Sequence, residues 1–296
     1  MTTFKASIAL AALGVSSLVS AHDHGNTSEF KVTEIKPHYY LMQGKGGNIL
    51  ASKGDDGVLI IDTDYGDMSD ALLNQLKKWP EPLKYVINTH WHADHTGGNA
   101  AAGIKADIIA HDSVRDMLSH DQTLSFFNAN IKAQKKEGLP SITFDDDMNL
   151  YFNDVKWVLK HLPAGHTNGD IVVSIDNGSL IHMGDHFFNG FFPFVDVEHG
   201  GRVDGMARNI TAMLDSIPDD ATIVPGHGPV GTKKDLVAFR DMLDGTYAEV
   251  KAMMDTGLDL EAIQKKGLSD RWDSWSGFIP EDKWISLVFD SIQADS

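Results

Sequence analysis

The sequence predicts an α/β fold with sheets on the inside and helices on the outside. The chain of 296 residues is 42% hydrophobic and 23% charged, which suits a folded domain with a sizeable core. Short apolar β segments separated by glycine are followed by segments of helical periodicity, and this order occurs twice along the chain. Because helices can then cover the faces of the sheets, this order is typical of a layered sandwich.

The first half begins with short β segments across residues 30–62. Residues 58–61 form a continuous apolar run of the buried-strand type, preceded by the turn residues Asp56 and Gly57. A helix is predicted over residues 67–79, because its apolar side chains share one face and Pro80 follows it.

Further strands are predicted at residues 85–87 and 107–110. The pattern then predicts a helical segment over residues 113–140, with a mobile charged stretch at residues 135–138.

The second half begins with a β-rich region over residues 142–181. A helical period follows from Gly205 to Ile217, and residues 222–224 form a short strand. A long helix is predicted to begin near Thr232, because Thr232 and Asp235 have the spacing of a capping box. The rest is predicted to be helical, with a tryptophan-rich tail that covers a sheet edge or forms a dimer contact.

The N-terminus has the layout of a secretory signal peptide over residues 1–21. Lys5 precedes an apolar run, and small residues ending at Ala21 follow it. A membrane anchor is the weaker interpretation, because a spanning helix needs about 20 apolar residues. We therefore expect a periplasmic or secreted protein that does not associate with a membrane once the signal is removed.

The predicted organisation has four parts. Residues 1–21 are the signal peptide, residues 22–29 a flexible leader, residues 30–240 the main domain, and residues 241–296 a helical extension of that domain.

Composition excludes several classes of function. The chain has 42 acidic and 25 basic residues, a net charge of −17, whereas nucleic-acid binders present a basic face. Cysteine is absent, so disulfides, cysteine nucleophiles and thiolate metal sites are excluded. Any metal must therefore be held by histidine and carboxylate.

One short segment carries most of the chemistry. His90, His92, Asp94 and His95 lie within six positions, directly after a predicted strand. Side chains alternate along a strand, so His90 and His92 project to the same side and can hold one ion. Asp94 and His95 come later and can face a neighbouring ion. Without an ion, such crowded polar groups would be costly to bury.

Three further candidate ligands lie in loops that follow predicted strands. His166 lies in a glycine-flanked loop, Asp185 follows the strand at residues 180–183, and His227 lies in a Pro-Gly-His-Gly-Pro turn. Strand ends are the usual place for functional groups that a rigid sheet holds.

These motifs, taken together and in this order, resemble those of the metallo-β-lactamase superfamily over roughly residues 30–240. The resemblance implies a four-layer αββα sandwich with a metal cleft at the edges of its sheets. It also implies two zinc ions, and places His90, His92 and His166 on one and Asp94, His95 and His227 on the other.

The resemblance assigns two more acidic residues. Asp185 occupies the position that bridges the metals in sites of the glyoxalase II type, and Asp62 matches a position that supports a ligand histidine. Two divalent ions about 3.5–4 Å apart share a water whose pKa falls towards about 7. Asp94 is also expected to orient this nucleophile. Manganese and iron suit the same ligands, so zinc is expected without excluding them.

Some positions differ from those of well-known relatives. The main class of dizinc β-lactamases has cysteine where this chain has Asp185, and a lysine where it has Phe188. Since that lysine anchors the β-lactam carboxylate, efficient antibiotic hydrolysis is not expected. The di-iron redox relatives have glutamate at the position of His92, so electron transfer is not expected either.

Two loops are predicted to contact substrate. Residues 187–194 are unusually aromatic and follow Asp185, so Phe188 and Phe191 are predicted to line an apolar pocket. The alternative is that alternate aromatic side chains pack into the core. Residues 44–48 are predicted to form a mobile flap that brings Asn48 to the pocket.

Nine of the 14 histidines lie outside the predicted site. His182 and His186 flank Asp185 and are candidates for supporting its neighbours. His199 and the others after the leader are read as surface or satisfied core residues.

The function predicted from the sequence is an exported dinuclear zinc hydrolase that cleaves a lactam, lactone, ester or thioester of a small molecule. Three alternatives remain: a true β-lactamase, a thioesterase of the glyoxalase II kind, and a metal-binding protein without catalysis. No nucleic-acid partner is expected, and the oligomeric state is left open.

Overall fold

The computed structural model describes residues 28–294. The predicted signal peptide and residues 22–27 of the predicted leader lie outside the described residues. Within residues 28–294, none of the helices is both long and apolar enough to cross a membrane.

The strands of the N-terminal part are, in chain order, β1 (Lys31–Lys36), β2 (Tyr39–Gln43), β3 (Ile49–Gly54), β4 (Gly57–Ile61), β5 (Leu83–Ile87), β6 (Asp107–His111), β7 (Gln122–Leu124), β8 (Ala129–Ile131) and β9 (Ile142–Phe144). The strands of the C-terminal part are β10 (Asp147–Phe152), β11 (Val155–His161), β12 (Ile171–Ile175), β13 (Leu180–His182) and β14 (Thr222–Val224). The α-helices are α1 (Ser69–Leu76), α2 (Ala93–Thr96), α3 (Asn99–Ala102), α4 (Asp112–Leu118), α5 (Val203–Leu214), α6 (Lys233–Asp255), α7 (Leu260–Lys266) and α8 (Glu281–Ala294).

Two sheets form the centre of the described part of the chain. The first has the strand order β1-β2-β3-β4-β5-β6-β9, and the second has the order β10-β11-β12-β13-β14. Strands β4, β5, β6 and β9 are parallel to one another, as are β13 and β14. Parallel strands end at the same edge, which brings the loops that follow them together.

The apolar residues of β4 explain how the first sheet packs on both faces. Leu59 and Ile61 point inward and join a core with Trp157 of the second sheet. Ile60 points outward and packs near Leu72 of α1. Because side chains alternate along a strand, a continuous apolar run serves both faces of a buried sheet.

The outer face of the second sheet is covered in the same way by helices. Ile181 of β13 shares a core with Ile210 of α5, Phe239 of α6 and Trp284 of α8. Helices therefore cover the outer face of each sheet, and the predicted four-layer αββα sandwich is confirmed.

The C-terminal helices are continuous with this domain. Helix α6 begins after the capping box of Thr232 and Asp235, as predicted, and runs through the expected boundary at residue 240. Trp272 and Trp284 are buried, and the ring of Trp284 stacks on Phe192 at 5.5 Å between centroids. The tryptophan-rich tail packs into the core beside the second sheet.

The predicted helix over residues 113–140 is wrong beyond its first turns. Helix α4 ends at Leu118, and the chain then forms the antiparallel hairpin β7–β8. The carboxylate of Asp121 accepts hydrogen bonds from the Lys132 ammonium at 2.6 Å and from the Ala133 N–H at 2.9 Å, which stabilises the hairpin base. Strand β9, assigned to the second β-rich region, pairs instead with β6 of the first sheet.

Candidate metal centre

Loops at one edge of the two sheets carry the seven predicted ligands. His90 and His92 follow β5, and Asp94 and His95 lie in or beside the short helix α2. The other three follow strands of the second sheet: His166 after β11, Asp185 after β13 and His227 after β14.

The first group of candidate ligands, called here the three-histidine cluster, consists of His90, His92 and His166. The Nδ1 atom of His92 lies 3.1 Å from Nε2 of His90 and 2.8 Å from Nε2 of His166. All three rings are buried. Three ring nitrogens thus converge on one point away from bulk water.

In two rings of this cluster, a hydrogen-bond acceptor outside the cluster fixes which ring nitrogen carries the proton. Nδ1 of His166 donates to the carbonyl oxygen of Phe194 at 2.7 Å, since a carbonyl can only accept. Nε2 of His92 lies 2.9 Å from a carboxylate oxygen of Asp196 and donates to it. Because the outer nitrogens donate these hydrogen bonds, the converging nitrogens of both rings are the ones left to hold a cation.

Asp62 fixes the remaining rings. Its buried carboxylate accepts hydrogen bonds from the N–H and the hydroxyl of Thr89, both at 2.8 Å, and from Nδ1 of His95 at 2.8 Å. The Thr89 hydroxyl donates to Asp62, so it accepts from Nδ1 of His90 at 3.0 Å. The structure thus brings Asp62 against a ligand histidine, as the resemblance implied, and Asp62 also orients a second one through Thr89.

The second group, called the aspartate–histidine cluster, consists of Asp94, His95 and His227. Nε2 of His227 lies 3.1 Å from Oδ2 of Asp94 and 3.3 Å from Nε2 of His95. The side chains of Asp94 and His227 are each 19% exposed, so this cluster faces the solvent. It is the accessible side of the centre.

Asp185 lies between the two clusters. Its Oδ1 atom is 3.1 Å from Nε2 of His95, and its Oδ2 atom is 3.4 Å from Nε2 of His166 and 3.5 Å from Nε2 of His227. Oδ1 is buried and accepts no hydrogen bond from any described residue. An ideal Cβ at Gly226 would lie 1.9 Å from this atom, so glycine is required there.

Burial keeps two rings of the three-histidine cluster, His90 and His166, neutral. Desolvation lowers the pKa of His90 well below its usual value, and the neighbouring histidines act in the same direction. Burial also lowers the pKa of His166 to about 4, although Asp185 opposes the shift. At neutral pH both rings present lone pairs without first losing a proton.

In the aspartate–histidine cluster, neighbouring carboxylates raise the pKa values of the histidines instead of letting burial lower them. Burial opposes the charged form, but Asp185, Asp94 and Asp62 raise the pKa of His95 well above its usual value. Asp185 and Asp94 likewise overcome burial and raise the pKa of His227 to about 9. His95 holds the pKa of both Asp94 and Asp185 below the usual range, against the effect of burial.

The donor set fits two divalent cations. Each cluster offers converging imidazole or carboxylate atoms within 4.8 Å of one another, and Asp185 joins the three-histidine cluster in the same way. Zn²⁺ accepts such nitrogen and oxygen ligands, and Mn²⁺ and Fe²⁺ also suit them. The orphaned Oδ1 of Asp185 and the lone pairs of the three-histidine cluster are the groups that cations would satisfy.

Sequence reasoning missed Asp196. This carboxylate is buried, holds His92, and lies 2.8 Å and 2.9 Å from Nδ1 of His199. His199, read as a surface or satisfied residue, is therefore connected to the centre. Asp196 belongs to no motif, and the only signal was an acid two positions after the aromatic loop.

Two predicted pocket residues require correction. Asn48 is buried, and its amide donates to the carbonyl oxygens of Pro225 and Gly228, both at 3.0 Å, so it supports the turn of His227. Phe188 is 1% exposed and stacks on His227 at 5.1 Å between centroids, which leaves no surface for a substrate. Phe191 is half-buried, and its role stays a prediction.

The loop at residues 44–48 lies against the aspartate–histidine cluster. The carboxylate of Asp64 accepts from the N–H of Lys45 at 3.0 Å and of Gly46 at 2.8 Å, and Gly47 donates to the carbonyl of Asp94 at 3.1 Å. An ideal Cβ at Gly47 would lie 2.1 Å from the His95 ring. Hydrogen bonds therefore hold this loop, predicted to be a mobile flap, close to the cluster.

His182 and His186 contact supporting groups. Nε2 of His182 lies 3.0 Å from the carbonyl oxygen of Asn48, and Nε2 of His186 lies 3.1 Å from the amide of Asn209. Nδ1 of His186 lies 3.4 Å from Asp170, whose pKa burial raises to about 8.

Comparisons with known proteins find similar sequences and similar folds. A family model described as the metallo-beta-lactamase superfamily matches residues 40–227. A hydroxyacylglutathione hydrolase, GloC, from Haemophilus influenzae is 28% identical over 179 residues, which cover 57% of this chain and 80% of that protein.

Two solved structures are similar in fold. A double mutant of the sec-alkyl sulfatase PisA1, an enzyme from Pseudomonas sp., has a TM-score of 0.71 at 16% identity, over 90% of this chain. This chain covers 51% of the sulfatase, about half its length. A metallo-beta-lactamase from Pontibacter korlensis has a TM-score of 0.60 at 19% identity, over 73% of this chain and 99% of that one.

Proposed function

Since this chain belongs to the metallo-beta-lactamase superfamily and is a metal-dependent hydrolase, we propose that it is a dinuclear zinc enzyme that cleaves an acyl bond of a small molecule. One observation carries the proposal. The buried Asp185 carboxylate lies 3.1 Å from a ring nitrogen of His95 and 3.4 Å from one of His166, so a single residue can serve a cation in each cluster.

The chain's own residues perform distinct tasks in this reaction. A pair of divalent cations supplies Lewis acidity towards a carbonyl oxygen and lowers the pKa of water to about 7. The buried rings of the three-histidine cluster keep bulk water away from one side. Asp94 lies on the accessible side, where its carboxylate oxygen can accept a hydrogen bond from the attacking water and so orient it.

The identity of the acyl bond rests on the hydroxyacylglutathione hydrolase relative and on the absence of cysteine and lysine from the positions discussed above. An ester or thioester is therefore proposed ahead of a β-lactam. Phe188 supports this order. It stands where the dizinc β-lactamases have the lysine that anchors the β-lactam carboxylate, and its buried ring carries no positive charge.

Export to the periplasm or medium is proposed from the sequence of residues 1–21. N-terminal sequencing of the protein recovered from a periplasmic extract is expected to begin at His22. Recovery of the full chain from the cytoplasm alone would contradict export.

The function is tested by elemental analysis coupled to a hydrolysis panel. We expect two zinc ions per chain and turnover of 4-nitrophenyl esters and acylglutathione thioesters ahead of a chromogenic cephalosporin. Two zinc ions without turnover of any substrate would favour the metal-binding alternative. A preference for the cephalosporin would favour a β-lactamase.

A further inference from the structure

Two exposed aromatic side chains lie together beside the metal centre. Phe127 is 41% exposed and Phe278 is 60% exposed, yet their ring centroids are 6.0 Å apart although 151 positions separate them in the sequence. Exposed apolar side chains that cluster mark a binding surface more often than isolated ones do.

Phe194 connects this pair to the ligands. Its ring centroid is 4.7 Å from that of Phe127 and 5.7 Å from the rings of both His92 and His166. We call Phe127, Phe194 and Phe278 the aromatic rim. Packed aromatic rings thus connect the two exposed side chains, through the buried Phe194, to the three-histidine cluster.

The hairpin that carries Phe127 is held in place. The carboxylate of Glu198 accepts hydrogen bonds from the N–H of Ser125 at 2.9 Å and from its hydroxyl at 2.6 Å. Glu198 is two positions from Asp196, which holds His92. The tip of the β7–β8 hairpin is therefore positioned by the same segment that positions a metal ligand.

The segment before Phe278 is tied down as well. The N–H of Phe192 donates to the carbonyl oxygen of Trp275 at 2.8 Å, and Ile279 is buried beside the exposed ring. Two distant segments thus present their rings from fixed backbones, so little conformational entropy is lost when a ligand packs on them.

We propose that the aromatic rim binds an uncharged aromatic or alkyl group of the substrate while the scissile bond lies at the metal centre. The proposal deepens the proposed function, on which it rests for the identity of the ligand as a substrate. The chain's net charge of −17 disfavours the approach of anionic ligands in general, and burial of apolar surface against the rings favours an apolar group.

The test measures binding of hydroxamates to the zinc-loaded protein by calorimetry. Acetohydroxamate and octanohydroxamate share a metal-binding head and differ in their apolar tail. We expect the longer compound to bind about tenfold more tightly to the wild type, because its tail is removed from water. The double variant Phe127→Ala/Phe278→Ala is expected to reduce this preference to about twofold, with the affinity for acetohydroxamate unchanged.

Tyr151→Ala is the matched control, because Tyr151 is 74% exposed but lies on β10, at the edge of the second sheet away from β13 and β14. It is expected to keep the full preference. Phe278→Ala alone removes a largely exposed ring and provides a second variant, with an intermediate loss expected. Equal affinities in the wild type, or a preference that survives in the double variant, would overturn the proposal.

This binding experiment separates the two proposals. A wild-type protein that prefers octanohydroxamate but hydrolyses no acyl substrate would leave the aromatic rim standing and remove the acyl-hydrolase function. Turnover of short and long esters with equal kcat/KM, together with equal hydroxamate affinities, would support the acyl-hydrolase function and remove the aromatic rim as a binding site.

Discussion

The two clusters of the metal centre are built from similar residues but are prepared for a cation in different ways. The three-histidine cluster is buried, and acceptors fix its protons on the outer nitrogens. The aspartate–histidine cluster is partly exposed, and its carboxylates favour protonated histidines in the metal-free protein. The three-histidine cluster is therefore preorganised for a cation, whereas the aspartate–histidine cluster must release protons before its histidines can bind one.

The largest effect is expected for Asp185, which both clusters share. Asp185→Ala removes the carboxylate between them, and we expect both cations to bind weakly and kcat/KM to fall about a thousandfold or more. Metal content and turnover are measured together. Asp116→Ala, an exposed acid in α4, is the control and should behave as wild type. Retention of one tightly bound ion would show that the clusters are independent.

A pH titration of metal affinity sharpens the comparison next. Burial lowers the pKa of His166 to about 4, whereas Asp185 and Asp94 raise that of His227 to about 9. A cation must displace protons only from groups whose pKa lies above the pH. Between pH 8 and pH 6 the aspartate–histidine cluster should therefore lose affinity about tenfold per pH unit for each proton displaced, while the three-histidine cluster stays nearly constant.

Competition with a chelator at each pH measures the two affinities. An equal loss of metal affinity in both clusters as the pH falls would contradict the proposed difference in their protonation.

Substitution of Asp196 is expected to affect the three-histidine cluster alone. Asp196→Ala removes the acceptor of the His92 proton, and we expect zinc affinity of the three-histidine cluster to fall about 10- to 100-fold. The aspartate–histidine cluster should change little. His199→Ala is the matched variant, because His199 contacts Asp196 without contacting a ligand. An equal loss in both variants would show that His199 is needed to hold Asp196.

The smallest effect concerns the turn of His227. Asn48→Ala leaves the buried carbonyl group of Pro225 and the partly buried one of Gly228 without this donor, so we expect the free energy of unfolding to fall by about 1–3 kcal/mol, measured by urea denaturation. Asn189→Ala removes an exposed amide that donates to Pro229 in the same turn, and should cost much less. Equal losses of unfolding free energy in the two variants would show that burial does not determine how much each amide hydrogen bond stabilises the turn.

The sheets could be predicted because their strands depend on local pattern, whereas the convergence of the seven residues followed from the resemblance of their motifs to those of a known family. Residues 58–61 alternate between two cores, and the period-two rule applies without knowledge of the partner. The β7–β8 hairpin could not be predicted, because Glu198 holds its tip from a distant segment. Asp196 was missed for the same reason, since its contact with His92 joins residues 104 positions apart.

The carboxylate of Asp62 has a consequence for how this centre can change over evolutionary time. It accepts directly from His95 and, through Thr89, orients His90, so one side chain supports a histidine of each cluster. A substitution at this position perturbs both cation sites at once, and neither can be retuned for another metal without disturbing its neighbour. Lineages that alter metal preference are therefore expected to vary Asp196, whose side chain contacts only one of the candidate ligand histidines, His92.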